Sequence, residues 1–468
     1  MRFLRMLGSG GVLQKRTRSL GWRVLQSALS KHNTYASTDN GTDKENKVVA
    51  SNQDPKNTKS MSTAPLSKTM CAIRPPRNDY STDGCNERRK WVEAYIQRPL
   101  YHIRDWWGKS SDATTESLKG HIENPIGLAK IPIGIAGPLM FNGENAQGNI
   151  LGPLATTEGT LVAAVEKGVK LLNKAGGVKT YVIGKTMMRS PSFTMEDPRQ
   201  AVLLAEWIKT KQSIFQDIIK KRSRHTILTG FTDVITHDTL HMVFEYETGD
   251  AAGQNMTTFA TAEIVGWIMK KLPLELPEVY VKEFSLTHGV DGDKKASMYS
   301  MLGKRGVNVI AKCTLEDDVL RAVMGTNAED TIRAFTHFHC ASTRVGAVGF
   351  SINAANVLAS MFIATGQDVA SLHESATCII KATKTPERNA VDLSLHLPSL
   401  LIGTIGGGTG LPSQSDCLSI IGCHGDGGVK RLAEVIAGYT LALDIACSSA
   451  LIANSFDSGH AKLGPKKK

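Results

Sequence analysis

Two hydrophobic periods alternate between about Val178 and Ser285, and that alternation limits the fold more than any other feature of the chain. A strand-like run (VKTYVIGKTMM, from Val178) leads to a helical stretch (EDPRQAVLLAEWIKTKQSIFQDIIKKR, from Glu196) and then two strands either side of a polar turn at His237 and Asp238. A second helix (TTFATAEIVGWIMKKL, from Thr257) and a closing strand (EVYVKEFSL, from Glu278) follow. In TLHMVFEY the side chains of Leu240, Met242, Phe244 and Tyr246 fall on one face, as a half-buried strand requires. The order βαββαβ predicts a ferredoxin-like unit.

On either side lie Ile122–Gly177 and Gly289–Ala461, dense in small residues and long helical patterns, so the inner unit reads as an insertion in a larger domain. Thr156-Thr157-Glu158 precedes the apolar set Leu161, Val165, Val169 and Leu172, and Gly176-Gly177 closes it; this predicts a helix with Glu158 in its first turn. The last long pattern repeats at Leu432, Ile436, Tyr439, Leu443, Cys447 and Leu451, which predicts a helix with one buried face. A helical stretch from Asn86 to Trp107, broken by Pro99, reads as a small entry domain. The predicted class is α+β, with domains at 79–120 (N-terminal helical), 121–190 with 286–468 (large, helix-rich) and 191–285 (inserted, ferredoxin-like).

Charge is confined to the ends. Residues 1–38 hold seven basic side chains and no acid, whereas residues 75–461 carry a net charge of −2, which excludes a basic nucleic-acid surface on the body. Residues 1–34 are rich in Arg, Ser and Leu without a continuous apolar core, the pattern of a mitochondrial presequence rather than a secretory signal; without it the chain reads as cytoplasmic. Residues 35–78 have too few large apolar groups to order themselves and read as a disordered linker. The most apolar stretch, Val435–Ala453, contains Asp444, Ser448 and Ser449, so a buried helix is expected rather than a membrane span. None of the eight cysteines is in CxxC spacing, which predicts free thiols and no metal site.

Four polar knots carry chemistry. Gly403-Thr-Ile-Gly-Gly-Gly-Thr-Gly410 fails the GxGxxG fingerprint because Leu411 occupies the last position; it either admits phosphates to the backbone or makes a tight turn. Gly249-Asp-Ala-Ala-Gly-Gln-Asn-Met256 joins a strand to a helix, either as an anion site or as a cap by Asp250 or Asn255. Gly292-Asp-Lys-Lys295 puts an acid beside two amines. Gly366-Gln-Asp368 ends a buried apolar stretch, where a carboxylate invites a shifted pKa.

In order along the chain, ENPIG (Glu123–Gly127), IPIGIAGPL (Ile131–Leu139), ATTEG (Ala155–Gly159), GDAAGQNM, DKK (Asp293–Lys295), GQD and IGTIGGGT (Ile402–Thr409) resemble the catalytic region of hydroxymethylglutaryl-coenzyme A reductases. The resemblance runs from about Glu87 to Leu463. It implies a reductase that takes hydroxymethylglutaryl-coenzyme A to mevalonate and coenzyme A with two hydrides from NADPH, in isoprenoid and sterol precursor synthesis. It further implies a homodimer or homotetramer with active sites between subunits, a large domain for coenzyme A and an inserted domain for the cofactor.

By the same resemblance Glu158 is the proton donor, its pKa raised by burial and a neighbouring carboxylate; Lys294 is the oxyanion-stabilising cation, Asp368 links the two, and His460 protonates the departing thiolate. Asp250, Asn255, Gly406, Gly407, Gly408 and Thr409 match cofactor positions, and Ser223 with Arg224 the pair on a ribose 2′-phosphate. Arg189, Lys295 and Asn356 match substrate positions. The chain departs from the family where a substrate-binding lysine becomes Thr336-His-Phe-His339, where SGNY becomes Leu286–Val290, and where AAQN becomes Val369-Ala-Ser-Leu372. The tail also differs after His460. These departures leave two alternatives, a paralogue acting on another acyl-coenzyme A or a non-catalytic subunit that binds coenzyme A and NADP.

Overall fold

The computed structural model describes residues 78–101 and 114–453, so residues 1–77, where a presequence and most of a linker are expected, and His460 lie outside the described residues. The chain enters through helix α1 (Thr82–Ile96), capped by the Ser81 hydroxyl, which accepts from Gly84 N. The helix stops two residues before the pre-proline position, with Gln97 left-handed. A hairpin, β1 (Ile133–Asn142) and β2 (Gln147–Ala155), then precedes α2 (Leu161–Lys174).

One antiparallel eight-stranded sheet runs through the rest. Its strands are β3 (Lys179–Arg189), β4 (Ser192–Thr194), β5 (Ile227–Thr236), β6 (Thr239–Glu247), β7 (Glu283–Ser285), β8 (Gly306–Glu316), β9 (Ile379–Lys384) and β10 (Ala390–Leu400). The order is β7-β4-β6-β3-β8-β10-β9, with β5 on the far edge of β6. Within the inserted unit β7-β4-β6-β5 is the ferredoxin-like order, but its first strand is β4 and not the long run read from Val178. Residues 179–186 of that run pair with β8, and only Met187–Arg189 reach β6. Pro191 then interrupts the strand, because it has no N–H to give the ladder, and its carbonyl accepts from Met242 N instead.

The inserted helices are α3 (Pro198–Lys209), α4 (Gln212–Arg222) and α5 (Gln254–Glu275). The single helix expected from Glu196 is thus two, parted at Thr210-Lys211. Asp197 caps α3 ahead of Pro198, where a missing N–H costs nothing. Leu240, Met242, Phe244 and Tyr246 are all wholly buried, and Phe215 meets Phe231, Phe244 and Trp267 edge-on. Each such side chain contributes about 1.5–3 kcal/mol of burial.

The larger core is built on α12 (Val429–Ile452). Before it come α6 (Met298–Met301), α7 (Asp317–Met324), α8 (Ala328–Arg344), α9 (Ala354–Thr365), α10 (Leu372–Ser375) and α11 (Pro412–Ile421). Every residue of α12 from Leu432 to Ser449 is buried, which corrects the expectation of one buried face. The back of the helix is small (Ala433, Ala437, Gly438, Ala442, Ala446), so neighbours approach closely; a Cβ on Gly168 of α2 would strike the Ala442 backbone. By length and composition α12 is apolar enough to cross a membrane, but it is packed inside this chain, and its carboxylates are hydrogen-bonded there. Glu434 accepts from Asn145 N, Ala146 N and Thr180 Oγ1; Asp444 accepts from Ile352 N and Asn353 N.

Candidate active site

The DKK loop leaves β7 in the smaller core and returns to β8 in the larger one. Lys294 has φ +56°, the left-handed region, and its ammonium lies 2.9 Å from Asp368 Oδ2, with both side chains partly exposed. Asp368 follows α9 through Gly366, a left-handed cap; its Oδ1 accepts from Ala370 N. Gln254, the first residue of α5, donates to Asp368 Oδ2 at 3.4 Å and to Ser371 Oγ at 3.0 Å. One carboxylate therefore receives a group from the DKK loop and another from the first residue of α5.

Glu158 is exposed, three residues before the first residue of α2, which corrects both its expected burial and its placement in the first helical turn. The chain enters α2 through a left-handed Thr160, so the helix starts late. Glu158 accepts twice from Asn356 Nδ2, at 3.0 and 2.8 Å. The two share a cleft of about 410 Å³ with Thr156, Thr157, Ser360 and Leu372. Among the described residues no hydrogen bond joins Glu158 to Asp368.

Of the other substrate candidates, Lys295 is exposed, its ammonium 3.3 Å from Asp293 O. Arg189 is buried and turned inward, 3.3 Å from Asp291 and 3.4 Å from Asp293. Where the family has its lysine motif, His337 is exposed on α8 and His339 packs edge-on to Phe350.

The cofactor candidates form a crevice where three backbones meet. Gly253, with φ +98°, starts α5, so neither Asp250 nor Asn255 caps that helix as expected. Asn255 is exposed in its first turn. Asp250 instead caps α12, accepting from Gly427 N at 2.9 Å and Val429 N at 3.1 Å. Ala251 bridges to Ile405, and Thr404 N donates to Asp250 O, which sets the glycine loop against the start of α5. Gly406 and Gly407 are left-handed and exposed, with open space where a Cβ would point; Gly408 lies against Gly366, and Thr409 turns in to donate to Gly406 O.

Lys185 holds this crevice together. Its ammonium donates to Thr248 Oγ1 at 3.1 Å, to Ala251 O at 2.5 Å and to Gly249 O. Burial pulls its pKa down to about 8, against the attraction of Asp250 and Glu247. Ser223 ends α4 and lines a pocket of about 650 Å³ with Lys221, Arg222, Met256, Phe259 and Glu263. Arg224 lines an adjoining pocket of about 440 Å³. Neither Lys185 nor the buried pair Arg305–Glu374 carries a local pattern that sequence reading recognises.

Two cores, a lysine–carboxylate pair at their junction and a glycine loop facing a helix start are the frame of the candidate site. The family profile described as hydroxymethylglutaryl-coenzyme A reductase matches residues 84–465. A 3-hydroxy-3-methylglutaryl-coenzyme A reductase of Pyrococcus horikoshii is 37% identical over 385 residues, 81% of this chain and 90% of that protein. Its counterpart in Methanothermobacter thermautotrophicus is 32% identical over 81% of this chain and 92% of its own length. A solved structure, the class II reductase of Streptococcus pneumoniae bound to NADPH, shares the fold with a TM-score of 0.57 at 18% identity, over 78% of this chain and 96% of that one. The chain belongs to the hydroxymethylglutaryl-coenzyme A reductase family. It is an enzyme of the mevalonate pathway, an oxidoreductase that works with a nicotinamide cofactor.

Proposed function

We propose that the chain reduces hydroxymethylglutaryl-coenzyme A to mevalonate and free coenzyme A, consuming two NADPH. The observation that carries the reading is the shared carboxylate of Asp368, which bonds Lys294 at 2.9 Å and receives Gln254 from α5. Lys294 stabilises the oxyanion that develops at the thioester carbonyl and again at the aldehyde. Asp368 keeps that ammonium aimed, and Glu158, held by Asn356, supplies a proton to the alkoxide. His460 protonates the leaving thiolate, which stops it from attacking the aldehyde again.

The cofactor supplies one hydride to the thioester carbonyl and one to the aldehyde. The residues present suit it. The open glycine backbone at Gly406 and Gly407, with Gly408 and Thr409, and the start of α5 at Asn255 accept a pyrophosphate. Nine residues of α5, roughly 14 Å at 1.5 Å each, separate Gln254 from Glu263 in the Ser223 pocket. There Ser223, Arg224 and the neighbouring Lys221 and Arg222 favour a 2′-phosphate, hence NADPH over NADH. Asp250 acts through the backbone it caps. In this reading residues 191–285 form the cofactor side and the flanking segments the substrate side, with Arg189, Lys295 and Asn356 around the acyl group.

A second copy of the chain completes the site: Ile131, Ile133, Ile135 and Leu151 leave an apolar face exposed on the β1–β2 hairpin, near the ENPIG segment, and support a homodimer or homotetramer. The arginine-rich first 34 residues support mitochondrial delivery, which a fusion of those residues to a fluorescent protein tests by location.

The deciding assay follows NADPH oxidation by absorbance with hydroxymethylglutaryl-, acetyl- and succinyl-coenzyme A, for the parent and Lys294→Met. Turnover confined to the first substrate, falling about 10²-fold or more in the variant, is expected. Preference for another acyl group, or cofactor binding without turnover, overturns the reading.

A further inference from the structure

Beneath Lys294 lies a buried charge cluster whose centre, Arg305 and Glu374, has been given no role in binding substrate or cofactor. Arg305, at the start of β8, is wholly buried. Its Nε donates to Glu374 Oε2 at 2.5 Å, its Nη2 to Asp293 Oδ1 at 2.6 Å and its Nη1 to Met188 O at 3.1 Å. Glu374, also wholly buried, stands on α10, six residues beyond Asp368, and its Oε1 accepts from Lys294 N at 3.1 Å. Arg189 adds a second guanidinium, facing Asp291 and Asp293.

We infer that Arg305 and Glu374 are positioning residues that set Lys294 against Asp368. The inference rests on the reading of Lys294 given above and goes beyond it. Two separate segments must meet for the pair to form: the loop 291–295, between β7 and β8, and the turn 368–375, after α9. Arg305 grips the first through Asp293 and the second through Glu374, and Glu374 in turn grips the first through the Lys294 amide. Its third bond, to Met188 O, ties both to the β3 end where the two cores share a strand. A planar guanidinium makes these bonds in fixed directions, which an ammonium does not.

The left-handed backbone at Lys294 shows why such a clamp is needed. A side chain with a Cβ resists positive φ, and the bond from Lys294 N to Glu374 helps hold the peptide there. Two guanidinium groups meet three carboxyl groups (Asp291, Asp293, Glu374), and this acidic surplus together with Asp368 draws the lysine side chain to the junction. Burial raises the Glu374 pKa while Arg305 opposes it, so removing the guanidinium leaves an uncompensated carboxyl in the core.

The test uses the full chain with Glu374→Gln, Arg305→Lys and Asp293→Asn, beside Lys294→Met. Asp293 is partly exposed, so its variant cuts the Arg305 link without stranding a buried charge and keeps the test open if the buried variants fail to fold. Steady-state kcat and KM for NADPH are measured, with the folded fraction from circular dichroism. A kcat about tenfold lower or more with an unchanged NADPH KM is expected, because the lysine is no longer held against Asp368. Parental kcat in folded Glu374→Gln or Asp293→Asn overturns the inference, as does activity that only tracks the folded fraction. Lys294→Met with parental kcat overturns the reading of the lysine itself, whatever the other variants do.

Discussion

Asp444→Asn isolates the cost of one buried charge. Asp444 sits in the middle of α12, wholly buried, and burial raises its pKa from 3.8 to about 6, opposed by the N–H groups of Asn353 and Ile352. Between those two values the folded chain holds a proton that the unfolded chain has released. Stability from this group is therefore greatest below about pH 4 and declines as pH rises through about 6. That difference corresponds to about 3 kcal/mol over the whole window, of which about 1 kcal/mol falls between pH 5 and pH 7.5.

Asparagine does not titrate. Its carbonyl takes one of the two N–H groups and its NH₂ faces the other, a penalty of about 1–3 kcal/mol that is the same at every pH. Urea unfolding of parent and variant at the two pH values removes the titration of all other groups by difference. The variant is expected to gain on the parent by about 1 kcal/mol as pH rises. A flat difference refutes the argument, because it means burial leaves the carboxyl's pKa unchanged, and so does a variant that loses ground with rising pH, because it means the folded state prefers the charged carboxylate.

Lys185→Met removes three hydrogen bonds from the crevice, and NADPH KM is expected to rise about fivefold or more at neutral pH. In the parent the same KM rises as pH passes about 8, where the ammonium loses its proton, while the variant shows no such rise; a KM profile against pH checks both. Gly366→Ala puts a Cβ into the Gly408 backbone at φ +72°, so a lower thermal midpoint, a cost of about 1–2 kcal/mol from φ alone and lost turnover are expected together.

What the chain shows in advance depends on whether the deciding contact is local. The spacing of Leu432, Ile436, Tyr439 and Leu443 marks a helix with an apolar face, but the opposite face of alanine and glycine looks indifferent until other backbones arrive against it. The alternation in β6 is read correctly because its own side chains make the buried face. β4 is three residues long, held by Leu240 and Phe284 on either side of Phe193, and no period exists in three residues. At the site, Lys294 and Asp368 are legible through their motifs. Asp250 is legible as a polar loop residue, yet its partners, just before and at the start of α12, are 177 and 179 residues away. Arg305 and Glu374, 69 apart, look like a turn arginine and a surface glutamate.

The placement of the lysine follows from the sheet. If the inserted unit hung from the larger core by two free linkers, the loop 291–295 would have no fixed distance to the turn after α9. β3 prevents this by pairing with β8 along most of its length and with β6 at its end, so one ladder of hydrogen bonds crosses the junction. Arg305 stands just before β8, one hydrogen bond from Met188 of β3. The glycine loop is fixed to the other side of the junction through Ala251 and Ile405, and Lys185 of β3 holds the loop that carries Ala251. The strand that joins the cores thus sets both halves of the proposed geometry, Lys294 through Arg305 and the loop proposed to hold the cofactor through Lys185.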